Sequence, residues 1–207
     1  MAFSRLMLFI TATVIAVALG LIANALFRDP GQPKVTSVGV PSIGGPFELV
    51  DHKGQVARDS DFRGKYLLVM FGYTFCPDVC PTELQLITEA MERLGQVRSK
   101  VQPLMITVDP ERDTVAVLAD YMANFHPSLI ALTGSTAQVK AAAKAYHVFF
   151  AKAPPDEAGD YFMDHSVFIY LMGPDGKYLH HFAPTTAPQD MADKIRAAIS
   201  GANTNRR

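Results

Sequence analysis

The chain has 207 residues, of which 49% are apolar, 19% are charged and only two are cysteines. This length is typical of one domain with an appendage and is enough to bury a hydrophobic core. The 19 basic and 20 acidic residues give a net charge of −1, so the basic excess that binds a phosphate backbone is missing and no nucleic acid partner is expected. Two cysteines are too few for a disulfide scaffold or a four-cysteine zinc site.

An uncharged apolar segment begins close to the N-terminus. Residues 6–27 lie between Arg5 and Arg28 and contain no charged side chain. As a helix they would extend about 33 Å, which is enough to cross the core of a bilayer. We therefore predict a membrane anchor at residues 1–28, with a single transmembrane helix at about 6–27.

A cleaved signal peptide is the alternative interpretation of this segment. Ala23, Asn24 and Ala25 have the small-x-small form that precedes a cleavage site. The apolar segment is nevertheless longer than the roughly 7–15 residues of a signal-peptide core. Both interpretations place the following domain on the far side of the membrane. The expected location is a bacterial inner membrane, with the globular domain in the periplasm.

Three further regions follow along the chain. Residues 29–46 are predicted to form an extended linker, because eight of the seventeen positions from 30 to 46 are Gly or Pro. Residues 47–200 are predicted to form the folded domain. Residues 201–207 form a polar tail.

The domain is predicted to contain both strands and helices. Near-continuous apolar runs indicate strands buried on both faces, whereas apolar residues at helical spacing indicate amphipathic helices. Turn residues between short strands indicate hairpins. In chain order we expect a hairpin at 47–50 and 55–57, a strand at 65–71, a helix at 81–94, a strand at 104–108, a helix at 114–124, a strand at 129–132, a helix at 135–146, a hairpin at 167–172 and 178–182, and a helix at 189–199.

This order of elements predicts an α/β domain with a thioredoxin-like fold. A buried strand, a helix and a second buried strand form a βαβ unit, and the later hairpin and closing helix complete a sheet with helices on both faces. The strands within 47–57 add an N-terminal β-hairpin extension. The reactive site of this fold lies where the first core strand ends and its helix begins, and Cys76 and Cys80 lie at that junction.

The two cysteines have three residues between them, whereas a redox pair on this fold usually has two. Pro81 disfavours helical geometry at Cys80, so we expect residues 76–80 to form a loop ahead of the helix. A position near a helix N-terminus stabilises a thiolate, which is the form that binds metal or attacks a disulfide. Two thiolates leave most metals short of ligands, so a third ligand is needed nearby.

His165 is the candidate for that third ligand. It directly precedes a predicted core strand, at a place that faces the cysteine loop in this fold, whereas the other five histidines lie in predicted turns, helix ends or an edge strand. Two Cys and one His form a soft, three-coordinate set that suits Cu(I), and imidazole also suits Cu(II). Zinc would need a fourth ligand. The spacing alone leaves the ligand role of His165 open.

Five short motifs follow one another along the chain. They are GYTFCPDVCP at 72–81, TVDPERDT at 107–114, LTG at 132–134, DHSVFIYL at 164–171 and GPDG at 173–176. In this order they resemble the signature of the Sco/SenC family of copper-binding assembly proteins. The resemblance covers about residues 47–199, and residues 1–28 resemble only the generic anchor of the family.

The resemblance implies a thioredoxin-like domain that one N-terminal helix holds outside the membrane. Members of the family bind one copper and help to deliver it to the dinuclear CuA centre in subunit II of cytochrome c oxidase. Their ligands correspond to Cys76, Cys80 and His165, with copper as Cu(I) or Cu(II). The partners implied are subunit II with its CuA domain, another periplasmic copper carrier or a thiol reductant, and the membrane itself.

A thiol–disulfide oxidoreductase is the alternative function. In that role Cys76 and Cys80 would alternate between dithiol and disulfide and would reduce the copper-ligand cysteines of the target protein before it receives metal. The three-residue spacing and the imidazole weigh against a general enzyme, so a metallochaperone is the first expectation. The two roles are compatible, because copper loading requires reduced cysteines.

Three acidic residues are candidates for contacts around these ligands. Asp78 either tunes the charge of the thiolates or is a solvated turn residue. Asp109, together with Arg112, either surrounds the ligands, forms a docking edge for a partner or fixes the loop after a core strand. Asp164 is expected to orient the ring of His165, as ligating histidines usually require.

Overall fold

The structure is a computed structural model that describes residues 43–204 and also residues 15, 17 and 18. Apart from those three positions, the predicted transmembrane helix lies outside the described residues, as do most of the linker and the last three residues of the tail. Among the described residues, no helix has the length and apolar composition needed to cross a membrane. The predicted anchor, linker and domain boundaries stay predictions.

Strands of the described region form two sheets. They are β1 (Glu48–Asp51), β2 (Val56–Arg58), β3 (Tyr66–Gly72), β4 (Val101–Thr107), β5 (Ile130–Thr133), β6 (Phe150–Lys152), β7 (Met163–His165), β8 (Ile169–Met172) and β9 (Tyr178–Phe182). Seven form the main sheet, in the order β2-β1-β5-β4-β3-β8-β9, and β6 and β7 form a separate small sheet. The parallel strands β3, β4 and β5 are flanked on both sides by antiparallel neighbours.

Helices cover both faces of the main sheet. In the described region they are α1 (Val79–Arg93), α2 (Val115–Met122), α3 (Thr136–Ala145) and α4 (Pro188–Thr204). Alternate residues of β3 belong to two different hydrophobic clusters: Leu68 packs with Leu84 of α1, whereas Val69 packs with Val139 of α3. Every residue of β3 and β4 is buried, as their near-continuous apolar sequence predicts.

The architecture agrees with the sequence-based prediction. Each predicted strand and helix has a counterpart, with ends shifted by a few residues. The antiparallel pair β1-β2 at one edge of the main sheet is the predicted N-terminal hairpin extension. Together with the β3-α1-β4 unit and the β8-β9 hairpin, it gives the predicted thioredoxin-like α/β fold.

The start of α1 differs from the prediction. We expected residues 76–80 to form a loop, whereas α1 begins at Val79 and includes Cys80. Pro81 is the third residue of the helix, where its missing N–H costs little because the first four amides of a helix have no intrahelical acceptor. The buried side chain of Cys80 shows that tertiary packing overrides the preference of a pre-proline residue for extended geometry.

The small sheet β6-β7 is a second difference from the prediction. Phe150–Lys152 pairs antiparallel with Met163–His165, and three residues are too few for a recognisable alternation of apolar and polar side chains. We expected His165 to stand directly before a core strand. It is instead the last residue of β7, and β8 begins four residues later at Ile169.

Candidate metal centre

Three elements meet at the carboxyl end of β3. This strand ends at Gly72, α1 carries Cys80 in its first turn, and β7 ends at His165. The Sγ atom of Cys80 and the Nε2 atom of His165 are 3.6 Å apart, although the two residues are 85 positions apart in the chain. The structure thus brings together two of the three candidate ligands.

Gly72 leaves the space that the sulfur of Cys80 occupies. A Cβ atom at residue 72 would lie 3.0 Å from Cys80 Sγ and 3.1 Å from the Cε atom of Met70. Both distances are shorter than an optimal van der Waals contact of about 3.5–4.0 Å. Any larger residue at the start of the GYTFCPDVCP motif would therefore push the thiol or Met70 aside.

His165 presents a nitrogen lone pair to Cys80. Its Nδ1 atom lies 2.9 Å from the carbonyl oxygen of Ser166, and because a carbonyl oxygen only accepts, Nδ1 must carry the hydrogen. Nε2 of the neutral ring is then the acceptor, and it faces the sulfur. Burial lowers the pKa of His165, which favours the neutral imidazole that binds metals.

Burial also governs the thiol of Cys80. The side chain is fully buried, and this burial raises the pKa of Cys80 far above its ordinary value, despite a backbone hydrogen bond from Tyr73 that lowers it. We expected the helix N-terminus to stabilise a thiolate at this position. For Cys80 burial opposes that expectation, because the loss of hydration disfavours the charged thiolate. A cation at the sulfur would be needed to displace the proton.

Cys76 is the more accessible of the two thiols. Its Sγ atom accepts a hydrogen bond of 3.4 Å from the backbone N–H of Cys80, and both cysteines are free. In the part of the chain that the structure describes, no three Cys, His, Asp or Glu side chains are close enough together to hold a metal ion. Cys76 thus lies beside the pair of Cys80 and His165 without completing a three-ligand group.

Two of the acidic candidates lie in solvent. Asp78 is exposed and its side chain forms no capping hydrogen bond at the start of α1, which favours a solvated turn residue. Asp164 is also exposed. The carbonyl of Ser166, and not the carboxylate of Asp164, is the hydrogen-bond partner of His165 Nδ1, and the orienting role of Asp164 stays a prediction.

Asp109 is the buried member of the three, with 1% of its surface exposed. Its carboxylate accepts hydrogen bonds from Nε of Arg112 and, at 3.0 Å, from the hydroxyl of Tyr161. A buried carboxylate cannot form a docking edge. The contacts of Asp109 are compatible with the two other roles that the sequence left open, which are surrounding the ligands and fixing the loop after β4.

The model of the SCO1/SenC family matches residues 36–200. The chain belongs to this family. The match covers nearly all of the described domain of this Sco protein, including Cys76, Cys80 and His165.

Curated relatives include mitochondrial and bacterial Sco proteins. The mitochondrial SCO2 homolog of Bos taurus is 44% identical over 172 residues, which are 82% of this chain and 65% of that protein. The SCO2-like protein of Rickettsia felis is 38% identical over 174 residues, which are 82% of this chain and 85% of that protein. This chain therefore spans about two thirds of the length of the bovine relative.

Solved structures of Sco proteins share the fold described above. ScoI of Bradyrhizobium japonicum with copper bound is 41% identical, with a TM-score of 0.71 over 75% of this chain and 99% of that chain. Yeast Sco1 with copper bound is 40% identical, with a TM-score of 0.72 over 77% of this chain and 90% of that chain. These structural neighbours are Sco proteins with copper bound.

Tyr73 is a residue of the candidate centre that the sequence analysis missed. It is 3% exposed, and its ring meets the ring of His165 edge to face with centroids 5.8 Å apart. Burial raises the pKa of Tyr73, and its hydroxyl also interacts with the thiol of Cys76. The only sequence signal was the position of Tyr73 directly after the buried strand.

Asp113 is the second residue that was missed. It is fully buried, and its carboxylate accepts hydrogen bonds from the hydroxyls of Thr74 at 2.6 Å and Thr107 at 2.5 Å, and from the backbone N–H of Thr74. Thr74 lies two residues before Cys76, so Asp113 ties the cysteine loop to the end of β4. The TVDPERDT motif contains this aspartate, but nothing in its spacing distinguishes it from Asp109.

Asp113→Asn is expected to destabilise the Sco domain by about 2–3 kcal/mol. The amide NH₂ group cannot accept from these donors, so at least one buried donor loses its partner. Urea unfolding of the two forms measures the difference. Asp120→Asn on the exposed side of α2 is the matched control. If Asp113→Asn lowers the free energy of unfolding no more than this control does, Asp113 does not tie the cysteine loop to β4.

Proposed function

We propose that this Sco protein is a copper metallochaperone of a bacterial inner membrane. It is anchored by the helix predicted at residues 6–27, holds its domain in the periplasm, and binds one copper through Cys76, Cys80 and His165. It helps to assemble the CuA centre in subunit II of cytochrome c oxidase. The copper-bound state of the Sco neighbours from Bradyrhizobium japonicum and yeast supports the choice of metal.

The contact between Cys80 and His165 carries this proposal. For a metal bound to nitrogen at about 2.0 Å and to sulfur at about 2.3 Å, with an angle between tetrahedral and trigonal, the two ligand atoms lie about 3.5–3.7 Å apart. The Sγ and Nε2 atoms are 3.6 Å apart in the structure. Copper can thus take the place of the thiol proton between them, with that proton leaving to water.

The different accessibility of the two cysteines supports a carrier rather than a permanent site. Cys80 is fully buried, whereas Cys76 is half-buried and lies on the solvent side. Copper would reach the site through Cys76, whose sulfur turns from the N–H of Cys80 toward the metal. A half-buried third ligand on the solvent side can also be exchanged for a ligand of the receiving protein, which allows handover without releasing free copper.

The proposal is tested with the full chain in detergent micelles. We expect one copper per chain, no free thiols in the loaded form, and transfer of the copper to an apo CuA domain of subunit II. The Cys76→Ser variant is expected to bind copper weakly and to transfer none. Transfer at the same rate by wild type and Cys76→Ser, or no copper bound by wild type, would refute the metallochaperone role.

The thiol–disulfide oxidoreductase remains the second candidate. The contact of 3.4 Å between the Cys80 N–H and Cys76 Sγ favours it, because it holds the two cysteine residues close together. In this role the two thiols would reduce a disulfide of the CuA-site target and would themselves become a disulfide. Reduction of an oxidised CuA domain that survives His165→Ala, without any copper requirement, would favour this function.

A further inference from the structure

The two halves of the candidate site belong to different sheets. Cys80 and the loop containing Cys76 follow β3 of the main sheet, whereas His165 ends β7 of the small sheet. The separation of Cys80 and His165 is therefore set by whatever attaches the β6-β7 hairpin to the main body. One of these attachments in the described region centres on Arg112.

The guanidinium group of Arg112 lies among three aromatic rings. Its Cζ atom is 3.8 Å from the ring centroid of Tyr161, 4.4 Å from that of Phe75 and 5.9 Å from that of Tyr73. Phe75 directly precedes Cys76, and Tyr161 is four residues before His165. One side chain thus contacts both the cysteine loop and the segment that leads into β7.

Asp109 completes this attachment. Its carboxylate accepts a hydrogen bond from Nε of Arg112 and another from the hydroxyl of Tyr161. Asp109 is 1% exposed and the Arg112 side chain is 25% exposed, so the ion pair and the cation–π contacts are largely removed from water. Cation–π contacts are stronger when they are desolvated, and removal of one partner of a buried ion pair leaves the other charge buried without a counter-charge.

We propose that Arg112 is a positioning residue that fixes His165 relative to the two cysteines. It acts by clamping the β6-β7 hairpin to the cysteine loop through Tyr161 and Phe75, and Asp109 holds the clamp. As far as it concerns copper, this inference rests on the metallochaperone function proposed above. Arginine suits the task because its planar cation stacks on aromatic faces, which the ammonium group of lysine does not do equally well.

The first measurement concerns the metal-free full chain. Arg112→Gln is expected to accelerate hydrogen exchange of the amides in β6 and β7 at least about tenfold, while amides of β3 and β4 stay within about twofold of wild type. Arg112→Lys is expected to resemble Arg112→Gln, since charge alone does not restore the stacking. Arg93→Gln, which removes an exposed arginine of α1, is the matched control. It is expected to leave amide exchange unchanged in β6 and β7 and in β3 and β4.

The second measurement concerns the copper-loaded chain. Because loss of a residue that supports a ligand typically weakens metal binding about tenfold to a hundredfold, Arg112→Gln is expected to release copper to a competing chelator faster by that factor. The electron paramagnetic resonance spectrum of the Cu(II) form is expected to change as well. Glu89→Gln breaks an exposed pair with Arg93 within α1, away from the hairpin, and is expected to change neither the copper release nor the spectrum.

The outcomes separate the inference from the proposed function. Hairpin exchange and copper release both within twofold of the Arg93→Gln control would overturn the positioning role. If wild type binds no copper, the metallochaperone function fails, and hairpin exchange still decides whether Arg112 holds the hairpin. If Arg112→Gln does not fold, Tyr161→Phe replaces it, because this change removes only the hydroxyl and its bond to Asp109. If the amides of β6 and β7 then exchange at the wild-type rate in Tyr161→Phe, this result would contradict the clamp.

Discussion

Replacing His165 with alanine is expected to lower the copper affinity of the chain by at least about a thousandfold while leaving the domain folded. Loss of a residue that only supports a ligand already costs about tenfold to a hundredfold, and the ligand itself contributes more. His165 is half-buried at the end of a short strand. Its removal is therefore expected to change the free energy of unfolding by about 1 kcal/mol or less.

The measurement is anaerobic competition between the chain and a chromophoric Cu(I) chelator, together with a count of free thiols. His180→Ala is the matched control, because His180 is also half-buried but lies on β9, and none of its described contacts involves a cysteine. The control is expected to bind copper as wild type does. Copper affinity of His165→Ala within tenfold of the control would exclude His165 as a ligand and leave the oxidoreductase as the better function.

The position of the cysteines could be predicted because local and global signals agree there. The apolar sequence of β3 predicts a buried strand, and the spacing of Leu84 and Ile87 predicts a helix. The structure confirms both predictions. The junction between them is fixed by the order of the elements, so Cys76 and Cys80 fall at the site without knowledge of any contact. The start of α1 could not be placed to the residue, since the burial of Cys80 depends on the packed core.

The surroundings of His165 could not be predicted in the same way. Neither β6 nor β7 has a pattern of its own, because each has three residues and gains its position from tertiary contacts. The stacking of Tyr161 on Arg112 joins residues 49 positions apart. Spacing carries no information on such a pair. The motif resemblance identified His165, whereas the ring partner Ser166 and the neighbour Tyr73 required coordinates.

Glu83 is expected to make the free energy of unfolding fall steeply as the pH rises from about 4.5 to about 8. This residue lies one turn after Cys80 on α1, is 1% exposed, and neither carboxyl oxygen has a hydrogen-bond partner among the described residues. Burial raises the pKa of Glu83 from its ordinary 4.5 to about 8. In this range the unfolded chain releases the proton while the folded chain keeps it, so folding is progressively disfavoured, by about 4–5 kcal/mol in all.

Glu83→Gln tests this expectation, because the amide is neutral at every pH. The variant and wild type are expected to have similar unfolding free energies at pH 4.5, whereas the variant is more stable at pH 8 by up to about 4 kcal/mol. Urea unfolding at several pH values gives the slope of the unfolding free energy against pH for the variant and for wild type. Glu89→Gln on the exposed side of α1 is the control. Parallel slopes for Glu83→Gln and wild type would show that the carboxyl is ionised when folded.

The protonation state of Glu83 also bears on the candidate copper site. A negative charge on Glu83 raises the pKa of Cys80, because two anions that are close together in a buried region repel each other. A neutral Glu83 avoids this repulsion if Cys80 loses its proton to bind copper as proposed. The same burial that costs stability at high pH therefore keeps the surroundings of the sulfur neutral, and Glu83→Gln is expected to preserve copper binding at pH 7.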